Sequence, residues 1–321
     1  MVRNSVINAD TNSIMNNFLI SIVGPTAIGK TTLSIALAKY FNSEIISSDS
    51  RQFFKEMNIG TAVPSIKEIQ DVRHHFIQHK SIYEVYNVGA FEKDAINTLE
   101  LLYKKHSVAV MVGGSGLYTN AVINGLDDFP KVDASIRKEL NNKLELEGIL
   151  PLQKQLNLLD PKSYTSIAID NPQRLIRALE ICIGTGRPYS SFLSNPNKKR
   201  NFKTISIGLD ADREIIYNRI NERVDIMIEN GLMEEAKSLL NQKHLNALNT
   251  VGYKELFQFF EGHWTKDFAI SEIKKNTRRF AKRQLTWFKK DNTTKWFDYK
   301  TNVEDIIDYI TIEIENIKNP A

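Results

Sequence analysis

The sequence predicts an α/β protein: a parallel sheet flanked by helices, with an all-helical segment inserted into it. Three observations carry this. An apolar run, Phe18 to Val23, breaks at a glycine-rich loop and gives way to a helix-forming run. Short apolar runs then alternate with helical periodicity up to about residue 126, as in a sheet built from strand–helix–strand units. From Asp127 to Arg200 the strand signal vanishes, and an apolar strand returns only at Thr204 to Leu209. These boundaries divide the chain into a loose leader (1–17), a first core part (18–126), a helical insertion (127–202) and a second core part (203–321).

Composition bounds the possibilities. The 321 residues are 42% hydrophobic and 25% charged, which suits a globular chain with room for a large core. The single cysteine, Cys182, rules out an internal disulfide and a multi-cysteine zinc site, and suits a reducing cytosol. No run approaches the ~18 apolar residues of a membrane span, and the Asn- and Ser-rich leader lacks the apolar centre of a signal peptide. The net charge is only +4, so a nucleic-acid surface would have to come from local clustering.

The loop after the first strand reads Gly24-Pro25-Thr26-Ala27-Ile28-Gly29-Lys30-Thr31. This is the phosphate-binding spacing G-x-x-x-x-G-K-[ST]. Glycines let backbone N–H groups converge on phosphate oxygens, and the following helix directs its positive end there. Lys30 is placed to reach the terminal phosphate, and the Thr31 hydroxyl to hold Mg²⁺. The helix runs from Thr31 to Tyr40. A second strand, Glu44 to Ser48, enters the polar loop Ser48-Asp49-Ser50-Arg51-Gln52 at the sheet edge where such folds bind ligands. Asp49 there reads as a turn aspartate, a Mg²⁺ carboxylate or a catalytic base. His74 and His75 are neighbours on a strand, pointing to opposite faces with no third ligand in spacing, so structural or positioning roles fit better than metal binding. A helix, Val88 to Lys105, precedes the strand Val108 to Val112. That strand runs into Gly113-Gly114-Ser115-Gly116, a second close-approach loop in which Ser115 could donate or accept a hydrogen bond near Asp49, a weak signal taken alone.

In the insertion, Asp170 to Cys182 begins as a capped helix with Pro172 in its first turn. Gln173, Arg174 and Arg177 fall on nearby turns, with Leu175, Ile176 and Leu179 available for the core. Gly186 and Pro188 close the helix, and Asn195 to Arg200 reads as a basic linker. In the second core part, residues 271–300 carry ten Lys or Arg against three acidic residues, a net +7 in a chain whose remainder is −3. Lys274/Lys275, Arg278/Arg279 and Lys282/Arg283 recur every four residues among Phe280, Trp287, Phe288, Trp296 and Phe297. This pattern is either a solvated basic face over an aromatic core or a cationic helix lying on a nucleic-acid backbone.

The ordered series of motifs resembles the bacterial tRNA dimethylallyltransferases, also called tRNA isopentenyltransferases. It comprises the phosphate loop, Ser48 to Gln52, Ile59-Gly-Thr-Ala62, His74-His75, Val112 to Tyr118, Pro172 to Glu180 and Thr185 to Pro188. It continues through Gly208-Leu209, Arg213, Arg223-Val-Asp, Gly231 to Glu235, Gly252 to Glu255 and Thr277 to Trp287. The resemblance implies a P-loop NTPase-like sheet with an inserted all-helical domain. It also implies transfer of the dimethylallyl group of dimethylallyl diphosphate to the exocyclic N6 amine of adenosine 37 in the tRNA anticodon stem-loop, assisted by Mg²⁺. On this resemblance Asp49 matches the general base, Ser115 a position near the reacting centre and Arg213 a diphosphate-binding arginine. Asp49, Ser50, Arg51, Gln52, Ser115, Arg137 and the run Gln173, Arg174, Leu175, Ile176, Arg177 match tRNA-contacting positions. Lys274, Arg278, Arg279, Lys282 and Arg283 would add phosphate contacts. A cytoplasmic monomer, with no membrane association, is the expected form.

Four departures stand out: Ile28 for a small residue, Phe53-Phe54 for Val-Tyr, Ser115 for Thr, and Ser166-Ile167-Ala168 where an Arg-Ile type sequence is common. The alternatives are an ATP-using phosphotransferase with Asp49 as metal ligand, or a nucleic-acid-binding NTPase.

Overall fold

A computed structural model describes residues 17–193 and 198–320. The expected leader, apart from Asn17, and part of the expected 195–200 linker lie outside the described residues. The chain divides into two compact units, one holding the described residues up to Ile123 and from Arg200 onward, the other Asn124–Lys199.

The first unit is built on six strands: β1 (Phe18–Val23), β2 (Ile45–Ser47), β3 (His74–His75), β4 (Val108–Val112), β5 (Lys203–Asp210) and β6 (Lys295–Asp298). They form one sheet in the order β3-β2-β4-β1-β5-β6, with every neighbouring pair parallel. Parallel neighbours need long crossovers, which the helices supply. They are α1 (Lys30–Tyr40), α2 (Ile66–Asp71), α3 (Val88–Leu102) and α4 (Gly116–Asn124). The second unit holds α5 (Ala134–Glu147), α6 (Ile149–Leu159), α7 (Pro161–Ser166) and α8 (Pro172–Thr185). Back in the first unit follow α9 (Arg213–Glu229), α10 (Leu232–Ser238), α11 (Tyr253–Phe260), α12 (Lys266–Phe288) and α13 (Val303–Lys318).

The period of two along a strand sorts the core into two faces. Leu19, Ile46, Ala109 and Met111 pack with Phe91, Ala95 and Leu99 of α3 and with Tyr253 and Leu256 of α11. Phe18, Ile20, Ile22, Val108 and Val110 pack with Leu33 and Leu37 of α1 and with Ile306, Ile310 and Ile314 of α13. Every residue of β1 is buried, as befits a central strand covered on both faces. Ile22 pairs with Val112 and Val23 with Gly208, so β1 and β4 end within a residue of each other, β5 runs two residues further, and their following loops emerge on one edge.

Two strands differ from the sequence reading. The strand at His74 is only two residues long, because Phe76 and Gln78 adopt positive φ (65° and 47°) that extended pairing cannot accommodate. β6 lies within the basic, aromatic stretch 271–300, in which no strand was expected. Trp296 rests on Gly208 of β5, where a Cβ would come within 2.5 Å of the indole. The helix ends at Phe288, and the chain re-enters the sheet as an edge strand.

In the second unit no strand occurs among the described residues. Leu140, Leu152, Leu156, Leu175, Ile176, Leu179 and Cys182 form its core. Asn171 caps α8 by accepting from the N–H groups of Gln173 and Arg174, Pro172 opens the helix, and Gly186 ends it at φ 67°.

Candidate active site

The loop between β1 and α1 has its shape for local reasons. At Gly24 a Cβ would lie 2.5 Å from the Leu209 carbonyl oxygen, and Gly29 sits at φ 110° as the residue before α1. No side chain caps α1, so its first N–H groups are left for an anion. Ile28 is buried among the apolar residues of α1 and β1, which explains how a large residue is tolerated there. The Lys30 ammonium donates to the Pro25 carbonyl at 2.7 Å. Burial lowers its pKa to about 8, with the Asp49 carboxylate opposing the shift and Arg223 adding to it.

Two arginines of α9 close this loop. Arg219 donates to the Ala27 carbonyl at 2.7 Å, and Arg223 to the Thr26 hydroxyl at 3.3 Å. Arg213, the arginine expected at the diphosphate, instead lies exposed at the start of α9 over the Tyr217 ring and lines neither cavity described below. Arg219 and Arg223 are instead the α9 arginines that line the cavity at the phosphate loop. The pair was visible in sequence as two arginines one helical turn apart, the second in the Arg223-Val-Asp motif, but nothing local distinguished them from a solvated face.

Gln284 of α12 was also missed. Only 5% exposed, it accepts from the Thr26 N–H (2.9 Å) and donates to the Gly114 carbonyl (2.9 Å), tying the two glycine-rich loops together. Its signal was a polar residue on the stripe Ile273, Ala281, Phe288 that α12 buries.

Two cavities meet at this point. The first, about 620 Å³, is lined by Thr26 to Thr31, Gln52, Arg219 and Arg223. The second, about 520 Å³, is lined by Ser50, Arg51, Ser115, apolar side chains such as Val224 and Leu232, and by Phe280, Arg283 and Trp287 of α12. Thr26, Asp49, Arg223 and Gln284 line both. Asp49 follows β2, and its Oδ1 accepts from the Arg51 N–H at 3.2 Å, a turn that fixes one oxygen. The Ser115 hydroxyl accepts from the Ser50 N–H at 3.1 Å and pairs with the Ser50 hydroxyl at 3.1 Å. Arg51 donates to the carbonyls of Asn246, Ala247 and Asn249, and Gln52 to those of Thr61 and Ala62. Both side chains thus brace surrounding loops.

The histidines are structural in their contacts. His75 meets Glu44 at 2.6 Å, while His74 bonds the Val72 carbonyl at 2.7 Å and burial lowers its pKa. Among the described residues no group of three or more His, Cys, Asp or Glu is arranged to hold a metal. Phe53 sits in an aromatic cluster with His79, Tyr86, Phe91 and Tyr118, so the departure at that position adds to the core.

The basic residues separate into two groups. On α12, Lys274 pairs with Asp225 at 2.7 Å and Arg278 donates to Asn221 at 2.7 Å, both on α9. Arg279, Lys282 and Arg283 are exposed. In the second unit Arg137 and Arg177 both bind the Glu180 carboxylate, and Arg177 also covers the Phe129 ring. Leu175 and Ile176, expected among tRNA-contacting positions, are 0% and 1% exposed. This corrects the expectation: their side chains are core, and Gln173, Arg174 and Arg177 form the outward part of α8.

A parallel sheet with a phosphate-loop motif at its C-terminal edge, opening into a second cavity beside a basic helix, defines the class: a P-loop α/β protein. The model of the IPP transferase family matches residues 52–291, and the chain belongs to that family. It is 64% identical to the tRNA dimethylallyltransferase of Christiangramia forsetii, over 94% of this chain and 99% of the relative. The full-length tRNA isopentenylpyrophosphate transferase of Bacillus halodurans superposes with a TM-score of 0.70 at 37% identity, covering 94% and 98% of the two chains. A eukaryotic dimethylallyltransferase solved acting on tRNA gives a TM-score of 0.79 at 26% identity, with coverage of 94% and 80%.

Proposed function

We propose that this chain transfers the dimethylallyl group of dimethylallyl diphosphate to the N6 amine of adenosine 37 in a tRNA anticodon loop, giving N6-dimethylallyladenosine and diphosphate. The observation that carries the reading is the position of Asp49, on the wall common to a cation-rich phosphate cavity and a second, largely apolar cavity. The donor's diphosphate sits against the loop N–H groups, Lys30, Arg219 and Arg223. To reach it, Lys30 gives up its bond to the Pro25 carbonyl. Mg²⁺ would be held by the Thr31 hydroxyl and would supply charge neutralisation for the leaving diphosphate.

Adenosine 37 leaves its stack and enters through the second cavity. Its amine is a poor nucleophile, since the lone pair is delocalised into the ring. The N6–C bond forms as the C–O bond to diphosphate breaks. The electron pair of that C–O bond departs with diphosphate, and the N6 proton passes to the Asp49 carboxylate. Ser115, bonded to Ser50, keeps the adjoining loop in register with Asp49. Arg279, Lys282 and Arg283, with Gln173, Arg174 and Arg177, contact tRNA. We expect a cytoplasmic monomer; among the described residues no helix is long and apolar enough to cross a membrane.

The test is to incubate the protein with dimethylallyl diphosphate, Mg²⁺ and total tRNA, digest the tRNA and weigh the nucleosides. Prenylated adenosine, with diphosphate released only when all three components are present, is the expected result. Steady ATP hydrolysis or phosphoryl transfer without prenylated adenosine would overturn it.

A further inference from the structure

Three motifs take no part in the chemistry above: Ile59-Gly-Thr-Ala62, Gly231 to Glu235 and Gly252 to Glu255. The fold brings them together. Glu235, on α10, accepts through Oε2 from the backbone N–H groups of Asn58 (3.0 Å) and Ile59 (2.8 Å). Its Oε1 accepts from the Gly60 N–H (2.9 Å) and from the Tyr253 hydroxyl (2.7 Å). Tyr253 is completely buried, and burial together with the Glu235 carboxylate raises its pKa, so the phenol stays a donor. Its ring lies against Gly60, where a Cβ would come within 2.6 Å of it. Glu255, 3% exposed, accepts from the Gly252 N–H (2.9 Å) and from Asn276 of α12 (2.8 Å), which fixes the start of α11.

The same loop is held from its other side. The Gln52 amide donates to the carbonyls of Thr61 (3.2 Å) and Ala62 (3.0 Å). Ala62 adopts φ 50°, a left-handed conformation that alanine rarely takes and that persists when the surroundings over-determine it. A carboxylate on the N–H side and an amide on the C=O side do so here. This turn is not remote from the reaction, because Thr61 and Ala62 line both cavities.

We propose that Glu235, backed by Tyr253, is a positioning residue of the transfer reaction. It holds the Asn58–Ala62 turn as the wall shared by the donor and acceptor cavities, so that the two substrates meet in line beside Asp49. The inference rests on the prenyl-transfer reading. A carboxylate is required because four donors converge on the side chain; an amide in its place would turn an NH₂ group toward at least one of them. Diphosphate affinity is set by the phosphate loop and tRNA affinity by exposed cations. Loss of the brace should therefore act on the rate of transfer within the bound complex.

Glu235→Gln, Gly60→Ala and Tyr253→Phe in the full chain test this. For each, single-turnover prenyl transfer is measured with both substrates saturating, alongside reaction amplitude, tRNA affinity and thermal melting. Glu235→Gln should slow the single-turnover rate constant by about 10- to 100-fold, the scale of a displacement near 1 Å, with amplitude and tRNA affinity unchanged. Gly60→Ala pushes the same turn from the tyrosine side and should reproduce this. Tyr253→Phe, which leaves three of the four donors in place, should have a smaller effect. Wild-type rate constants in Glu235→Gln and Gly60→Ala, with only amplitude or melting temperature lowered, would make the brace purely structural and overturn the inference. If Glu235→Gln does not fold, Gly60→Ala decides by the same criterion. A wild-type chain that forms no prenylated adenosine fails the transfer reading itself, and the inference with it.

Discussion

The phosphate loop and the basic helix α12 are both conspicuous in sequence, yet they carry information differently. In the loop the backbone makes the site: Gly24 and Gly29 set the turn, and the N–H groups point where the strand–turn–helix directs them. In α12 the side chains make it, and each one's role depends on what the fold places opposite. Lys274 and Arg278 look equivalent to Arg279 and Lys282 in sequence, but the first two are occupied by Asp225 and Asn221 of α9. A residue type in a fixed spacing is therefore strong where the backbone acts and weak where a side chain does.

The largest effect tests the point where the two regions meet. Asp49→Asn keeps the shape but cannot take the proton, so single-turnover transfer should fall by about 10²- to 10⁴-fold. The loss should persist at saturating Mg²⁺; recovery there would make Asp49 a metal ligand. Next comes the loop. Lys30→Ala removes a full charge beside the diphosphate and should weaken donor binding by about tenfold or more, as expected for a charged hydrogen bond. Since the free-enzyme pKa of Lys30 is lowered to about 8, the charge is present below that pH and lost above it. Donor affinity should therefore fall as the pH rises through 8, and Lys30→Arg should flatten the profile. A flat wild-type profile would remove Lys30 from the diphosphate.

The basic helix should respond more modestly and in salt. Arg279→Glu with Lys282→Glu should weaken tRNA binding and lower the slope of log affinity against log salt by about 0.7 to 0.9 per lost phosphate contact. Lys274→Glu, which breaks the pair with Asp225, should lower the melting temperature and leave that slope nearly unchanged. Equal salt slopes for the two variants would erase the distinction. The smallest effect on RNA is expected at Leu175→Ala, which should cost about 2–5 kcal/mol of stability as a core truncation while leaving the tRNA affinity of the folded chain unaltered.

Much of the fold was legible because periodicity is local. The full burial of β1, the Asn171–Pro172 start of α8 and the glycine turns follow from residues within a few positions of one another. β6 was hidden because Trp296 and Phe297 sit among lysines; only the open surface of Gly208 on a distant strand makes Trp296 a sheet residue. Arg213 and Arg223 presented the same chemistry ten residues apart, and sequence had no means of choosing which turn of α9 faces the loop.

By itself, then, the sequence determined the strand–loop–helix around the glycine-rich loop, the helical character of the inserted unit and the presence of a carboxylate at the C-terminal edge of the sheet. Each depends on hydrogen bonding and apolar spacing within one or two turns of chain. The tertiary structure decided which cations are free, which are paired and which polar groups meet. Glu235 reaches Gly60 across 175 residues and Gln284 reaches Thr26 across 258, and no local propensity encodes an encounter at such separations. Those contacts arise when the two faces of the sheet are packed, because burying the apolar stripes of α10, α11 and α12 brings their polar residues to the edge where the two cavities join.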